Sequence, residues 1–253
     1  MYRTILVEQA GHVVTVTLNR PDKRNPIGPT TCGELVHALA GLGADPRVVI
    51  LAGAGPVWSA GGDLSAMHGG ATNDGPTASL PELLLAMHDL GKPIVAKVHG
   101  PALAGGLGLM VACDVVIASD AATFGTTEIG VGLWPMMITA ELVRNIGRKR
   151  ALELMLTGKK LDAHEALACG LVTRVVPAAA LDAETATFAE SLARRSPAAI
   201  ALGLRAFYRA QDMDEEPALA YLQGELGRVL ALDDAAEGIS AFLGKRAPVW
   251  KGR

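Results

Sequence analysis

The sequence predicts an α/β chain: a largely parallel sheet with crossover helices, followed by a helical lobe. Two observations predict it. Short, uncharged, β-branched runs alternate with helix-length segments through the first half. After Pro135 the strand signal gives way to successive Ala- and Leu-rich helical segments. Taken in order, the N-terminal stretch to Glu8 is strand-like, and Val13–Leu18 is a β-branched run that ends at the turn cluster Asn19-Arg20-Pro21-Asp22. A helical pattern over 30–42 closes in a Gly-containing turn. The run 48–51 is short and apolar enough for a buried parallel strand. Ile94–Val98 and 115–118 repeat that pattern, with a Gly/Ala-rich helical segment over 104–113 between them. Strand, crossover helix, strand is the βαβ pattern. Helical periods then cover 136–145, 149–156, 163–168, 181–194, 197–210, 216–231 and 233–243. Asp162, Ser196 and Asp233 stand at N-cap positions, and Pro197 at a first helical position. Helices beyond about residue 195 carry more apolar residues than one surface helix needs. The chain is therefore divided into a core, 1–195, and a helical region, 196–253, that packs on a neighbouring lobe or subunit.

Composition excludes several classes. Of 253 residues, 50% are apolar and 19% charged, which is a globular balance and not a disordered one. Aromatics are 4%, so the core is built from Ala, Leu, Val and Ile. A net charge of −3 argues against a nucleic-acid or anionic-membrane binder, which would need a basic face. Cys32, Cys113 and Cys169 stand far apart with no CxxC, as buried small hydrophobes of a reducing compartment. No His, Cys and acid cluster has metal-ligand spacing, so no metal is implied. The N-terminal stretch lacks a cleavage signal, and the longest uncharged apolar stretch, 100–113, is 14 residues and too short to span a bilayer. The expectation is a cytoplasmic protein with no membrane partner.

Two Gly-rich loops follow strands: Trp58-Ser59-Ala60-Gly61-Gly62-Asp63-Leu64, and His99-Gly100-Pro101-Ala102-Leu103-Ala104-Gly105-Gly106-Leu107-Gly108. Neither contains Gly-Lys-Ser/Thr, and Gly53-Ala54-Gly55 lacks the third glycine of a dinucleotide fingerprint. Phosphate cradling of either kind is excluded. Two readings of the loops remain. They are tight strand-to-helix turns, or they bring two backbone N–H donors onto one oxygen that develops negative charge. Glu128 sits in an otherwise uncharged, Gly-bounded run before Leu133, Trp134, Met136 and Met137. In an apolar pocket its carboxylate would move toward a useful acid–base range; the plainer reading is a cap or ion pair at a helix start. His68 and His88 could supply a further base, but both flank a Gly-rich segment, 69–76, that suits a flap, and solvent exposure is the favoured reading for both. Cys113 has no His at a spacing that would activate it.

Together these motifs resemble the crotonase superfamily, the enoyl-CoA hydratase/isomerase family. The likeness runs from Leu18-Asn19-Arg20-Pro21-Asp22-Lys23-Arg24-Asn25 through both Gly loops, Ala112-Cys113-Asp114, Phe124-Gly125 and Glu128. It continues through Leu156-Thr157-Gly158 and Gly170-Leu171-Val172 to Phe242-Leu243-Gly244-Lys245-Arg246. The resemblance implies a spiral of ββα units with a C-terminal helical trimerisation region, assembled as a homo-trimer or hexamer. It implies an acyl-CoA thioester substrate and no cofactor beyond the coenzyme A of that substrate. It implies that the amides of Gly62 and Gly105 bind the thioester oxygen and that Glu128 is the acid/base. By the same likeness Ala60, Asp63 and Leu64 meet adenine and pantetheine, and Lys23 and Arg24 approach the phosphates. Phe242 and Lys245 would reach a coenzyme A bound mainly to an adjacent subunit. Trp134 with Met136 and Met137 would wall an acyl chain, although core packing is the favoured reading for the two methionines. One departure matters. Hydratases of the family hold water with two glutamates, and the first falls here on Gly108. Proton shuttling between C2 and C4 stays simple with Glu128 alone, while water addition loses an anchor. Dienoyl-CoA isomerases place an acid eight residues beyond this Glu, where Met136 cannot serve. A non-catalytic acyl-CoA binder remains the alternative from another class; RNA binding, known for some members, is opposed by the acidic balance.

Overall fold

The structure, a computed structural model, describes residues 2–64 and 75–253. His68 and residues 69–74 of the expected flap lie outside the described residues. Nine strands are described: β1 (Ile5–Ala10), β2 (Val13–Leu18), β3 (Val48–Gly53), β4 (Ile94–Val98), β5 (Ala102–Leu103), β6 (Val115–Ser119), β7 (Thr123–Gly125), β8 (Lys160–Asp162) and β9 (Arg174–Val176). The helices among the described residues are α1 (Pro29–Ala40), α2 (Leu80–Asp89), α3 (Gly105–Val111), α4 (Thr139–Thr157), α5 (Ala163–Cys169), α6 (Leu181–Ala193), α7 (Pro197–Ala210), α8 (Glu215–Leu230) and α9 (Asp233–Leu243).

The main sheet has the order β1-β2-β3-β4-β6-β9, with β1 antiparallel to β2 and every later pair parallel. This is the mixed α/β architecture that the alternating pattern predicts. Side chains alternate across the sheet with period two. Val49, Leu51, Ile94, Ala96, Val98 and Val116 join the core under α1 and α2. Val48, Ile50, Val95 and Ile117 face Leu181, Ala189 and Ala193 of α6. Burial on both faces is why these strands read as continuous apolar runs. A second small sheet, β5-β7-β8, pairs Ala102 with Phe124 and Thr123 with Asp162.

Several expected boundaries change. The two helices expected over 136–145 and 149–156 are one element, α4, broken at Gly147 where φ is 73° and ψ 162°. The second Gly-loop helix starts at Gly105, because Ala104 holds φ 50° and ψ −130°. Asp162 and Ser196 do cap their helices, with Asp162 in a capping box with Glu165. Asp233 does not cap: Leu232 occupies the N-cap of α9, and Asp233 is its first helical residue. The sequence patterns above also do not assign α2, although Ser79 and Glu82 form a capping box at its start. Among the described residues no helix is long and apolar enough to cross a membrane.

Candidate active site

The two Gly-rich loops lie against each other, backbone on backbone. Each follows a neighbouring parallel strand, β3 or β4, so both emerge at the same edge of the sheet. Ser59 bridges Ala102 as one step of a parallel ladder: its N–H donates to Pro101 O at 3.1 Å, and Leu103 N–H donates to Ser59 O at 2.9 Å. On the other side Ala60 N–H donates to Arg24 O at 2.9 Å, and Asp63 N–H to Ile27 O at 3.1 Å. The first loop is thus clamped between the 24–27 segment and the second loop. Only small residues allow that approach. Gly61 has φ +105°, and a Cβ there would lie 2.5 Å from Ala104 Cβ; one on Gly106 would lie 2.4 Å from Ser59 Oγ.

The crossing brings two amides together. A Cβ built on Gly105 would stand 3.5 Å from Gly62 N, so the two residues flank one small space. Neither amide has a backbone acceptor among the described residues. Two clustered, unsatisfied donors form the arrangement that can stabilise a developing oxyanion.

Asn25 organises this region, and the sequence patterns give it no role. It is buried with φ +52°, and its Nδ2 donates toward the carbonyls of Ala54, Val57 and Trp58 at 2.8, 2.8 and 3.1 Å. Its Oδ1 accepts from Arg20 N–H at 2.8 Å, and its carbonyl accepts from Ser59 Oγ at 2.8 Å. Asn tolerates this backbone region better than most residues, which is the one signal that could have marked it.

Glu128 comes to the same region through β7. Ala104 N–H donates to Gly125 O at 2.8 Å, and a 3-10 turn over Thr127–Val131 then presents Glu128. Thr126 anchors the turn by donating from Oγ1 to Leu154 O at 2.8 Å. Glu128 Oε2 is buried and has no hydrogen-bond partner among the described residues. Burial pushes its carboxyl above the ordinary range, opposed by a backbone hydrogen bond.

Gly108 lies one helical turn beyond Gly105 on α3, and the space a side chain would need there is taken. A Cβ on Gly108 would fall 1.9 Å from Ile138 Cγ2 and 2.7 Å from Ile138 Cβ. Ile138 is buried at the start of α4. The absent carboxylate is therefore replaced by a packed apolar side chain rather than by open room.

The other candidates are placed as follows. Lys23 and Arg24 are exposed beside Ala60, on the far side of the first loop from Gly105. Asp63 holds Arg20 in an ion pair at 3.2 Å, and Leu64 is exposed. Trp134 packs partly on the core. Met136 and Met137 are 67% and 49% exposed, which corrects the core-packing reading: they lie in the turns before α4 rather than on its inward face. Phe242, 83% exposed, and Lys245 lie at the end of α9, which packs on α7 and α8. His88 is not solvent-exposed as expected. Its side chain is 13% exposed, stacks on Tyr208 with ring centroids 4.2 Å apart, and points Nε2 toward Glu141 Oε2 at 3.8 Å. Tyr208 in turn donates to Asp114 at 2.6 Å, so this network ties α2 and α7 to the start of β6. Cys113 is buried with its thiol pushed well up by burial, which leaves it unreactive.

Comparison with known proteins gives a consistent result. The family described as enoyl-CoA hydratase/isomerase matches residues 8–253. A zebrafish (Danio rerio) protein named enoyl-CoA hydratase domain-containing protein 3, mitochondrial, is 34% identical over 97% of this chain and 86% of its own length. The crystal structure of an enoyl-CoA hydratase from Mycobacterium smegmatis superposes with a TM-score of 0.90 at 34% identity, covering 98% of this chain and 99% of that one. The human enoyl Coenzyme A hydratase domain-containing protein 3 superposes with a TM-score of 0.91 at 32% identity, covering 98% and 100%.

Proposed function

The chain belongs to the enoyl-CoA hydratase/isomerase family and has the crotonase fold; on that premise we propose that it shifts a double bond in an acyl-CoA thioester, with Glu128 as its single acid/base. The Glu128 carboxylate takes a proton from C2 of a 3-enoyl thioester. The C–H electron pair spreads onto the thioester oxygen as a dienolate, which the amides of Gly62 and Gly105 stabilise. Glu128 then returns the proton to C4, and the double bond lies between C2 and C3. Nothing is consumed, and no cofactor is needed beyond the coenzyme A of the substrate. The observation that carries this reading is the buried, unpartnered Oε2 of Glu128. A carboxylate with one oxygen left unpartnered among the described residues and a raised pKa is suited to taking and returning a proton.

Hydration is the second reading, favoured by the likeness to the enoyl-CoA hydratase of Mycobacterium smegmatis. Against it, Ile138 fills the place where a second water-holding carboxylate would stand. Paired 2-enoyl and 3-enoyl thioesters in heavy-oxygen water separate the readings. Label uptake means hydration, and a shifted bond without label means isomerisation. Turnover of neither substrate leaves an acyl-CoA binder.

Coenzyme A would lie along Ala60, Asp63 and Leu64, its phosphates near Lys23 and Arg24, its acyl chain beside Trp134, with Phe242 and Lys245 supplied by an adjacent subunit. Exposed Phe207, Leu219, Leu226 and Leu230 on α7 and α8 support assembly as a trimer or hexamer. Sedimentation velocity at micromolar protein tests this. Three free thiols support a reducing compartment, which we take to be the cytoplasm.

A further inference from the structure

The starting edge of the sheet carries a second feature, which the acyl-thioester chemistry does not use. Arg47 immediately precedes β3, and Lys92 lies two residues before β4. Because these strands are parallel, both residues stand at the edge opposite the Gly-rich loops. A cavity of about 210 Å³ opens there and gathers Arg47, Lys92, Arg195 and Arg205, beside Gly91 and the first turn of α7 at Pro197. No acidic residue lines it among the described residues. None of the four cations is in an ion pair with a described residue. The acid that acts on Lys92 from outside is Asp45, whose carboxylate is engaged by Gln9 Nε2 at 2.7 Å and His12 Nδ1 at 3.1 Å.

Two of the cations are fixed in place. Lys92 Nζ donates to Gly43 O at 3.0 Å and Pro46 O at 2.5 Å, and keeps one N–H to spare. Arg47 Nη1 donates to Ala193 O at 3.1 Å, which uses one arm of its fork. The Arg205 guanidinium lies over Gly91, where a Cβ would fall 3.3 Å from Nη2 and 3.4 Å from Cζ; Gly91 has φ +68°. The N-terminal end of α7 is already served by Ser196 and by the buried Asp234 carboxylate, which accepts from Ser196 Oγ at 2.6 Å, so the positive charge of the cavity comes from its four side chains. In a chain of net charge −3, four cations around one small space repel each other, and an anion relieves that repulsion. Planar guanidinium forks match the oxygens of a phosphate group.

We propose that this cavity is an anion site that takes a phosphate group, free or carried on a nucleotide, at the sheet edge remote from the candidate active site. The test is calorimetric titration of the whole protein with inorganic phosphate, and separately with AMP, at fixed ionic strength with chloride as the balancing anion. One saturable site per chain is expected. Loss of one charge-assisted contact in Arg205→Met or Arg195→Met should weaken it about tenfold. Both side chains are exposed and make no side-chain hydrogen bond with a described residue, so unchanged melting curves should accompany the loss. Lys149→Met and Lys160→Met, on α4 and β8, should leave binding as it is. Tighter binding of AMP assigns a nucleotide as ligand, and equal binding assigns free phosphate. No heat at millimolar phosphate or AMP overturns the proposal. So does binding that survives both arginine variants, or that vanishes in the two lysine variants.

Discussion

The crossing of the Gly-rich loops and the three C-terminal helices are built by opposite means. At the crossing, order comes from backbone held by backbone. Ser59 and Ala102 pair, Asn25 collects three carbonyls, and Ala104 sits at φ 50° and ψ −130°, a region L-residues avoid. Side-chain volume has no place there, as the contacts a Cβ would make at Gly61 and Gly106 show. In α7, α8 and α9 order is local: regular helices, a Pro at the first position of α7, and large apolar side chains such as Phe207, Leu230 and Phe242 left exposed. The difference teaches where chemistry can be placed. Two donors without an acceptor among the described residues are held where the surrounding structure over-determines the backbone, whereas the helices leave large apolar side chains exposed.

The largest effect expected from breaking the crossing site is on turnover. Glu128→Gln should reduce it by about a thousandfold. The same change should raise the melting temperature at neutral pH. Burial raises the folded-state pKa of Glu128, so its charged form weakens the fold as pH rises through that value, and the gain from Gln should fade as pH falls below it. The acid limb of kcat/KM should lie above the ordinary carboxylate value of 4.5 for the same reason. An acid limb at or below that value would sink the assignment of Glu128 as base.

Gly105→Ala should come next. The new methyl would stand 3.5 Å from Gly62 N, in the space between the two donors, and should cost about a hundredfold in kcat/KM. The fold should not suffer, because Ala favours the helix by about 1 kcal/mol over Gly. Equal loss of stability and activity would mean that the residue is merely structural.

Gly108→Ala should destabilise by about 1–3 kcal/mol through overlap with Ile138. Adding Ile138→Ala to that chain should cost less than Ile138→Ala alone, a coupling that urea unfolding of the four proteins measures. Simple additivity would mean the two do not touch. Ala104→Gly should stabilise by about 1 kcal/mol, since it relieves a strained φ. On the helical side, Phe242→Ala should change unfolding of the separated chain by no more than about 0.5 kcal/mol. Any larger effect should appear only in the concentration dependence of assembly.

Much of the fold was legible from local chemistry. Val13–Leu18 and Ile94–Val98 have the bounds that β-branched runs indicate, and Pro197 opens α7 where its fixed φ suits a first helical position. The capping box at Ser79 was equally legible, though α2 was not assigned from it. The small sheet was not legible, because strands as short as Ala102–Leu103 carry no period. His88 was misread as exposed because one side chain's neighbours are not a local property; its enclosure comes from Tyr208, distant in sequence.

The order of the main-sheet strands β2, β3, β4 and β6 and of the C-terminal helices, the small residues at 61, 62, 105 and 106, and the presence of Glu128 without an acid at 108 belong to the sequence by itself. Propensity, period and side-chain size act within a few residues and need no partner. Tertiary structure alone decided that Gly62 and Gly105 flank one space, that Glu128 Oε2 has no partner among the described residues, and that Ile138 fills the room beside Gly108. Those are contacts between segments tens of residues apart. They exist only once the sheet has set the distance between its loops.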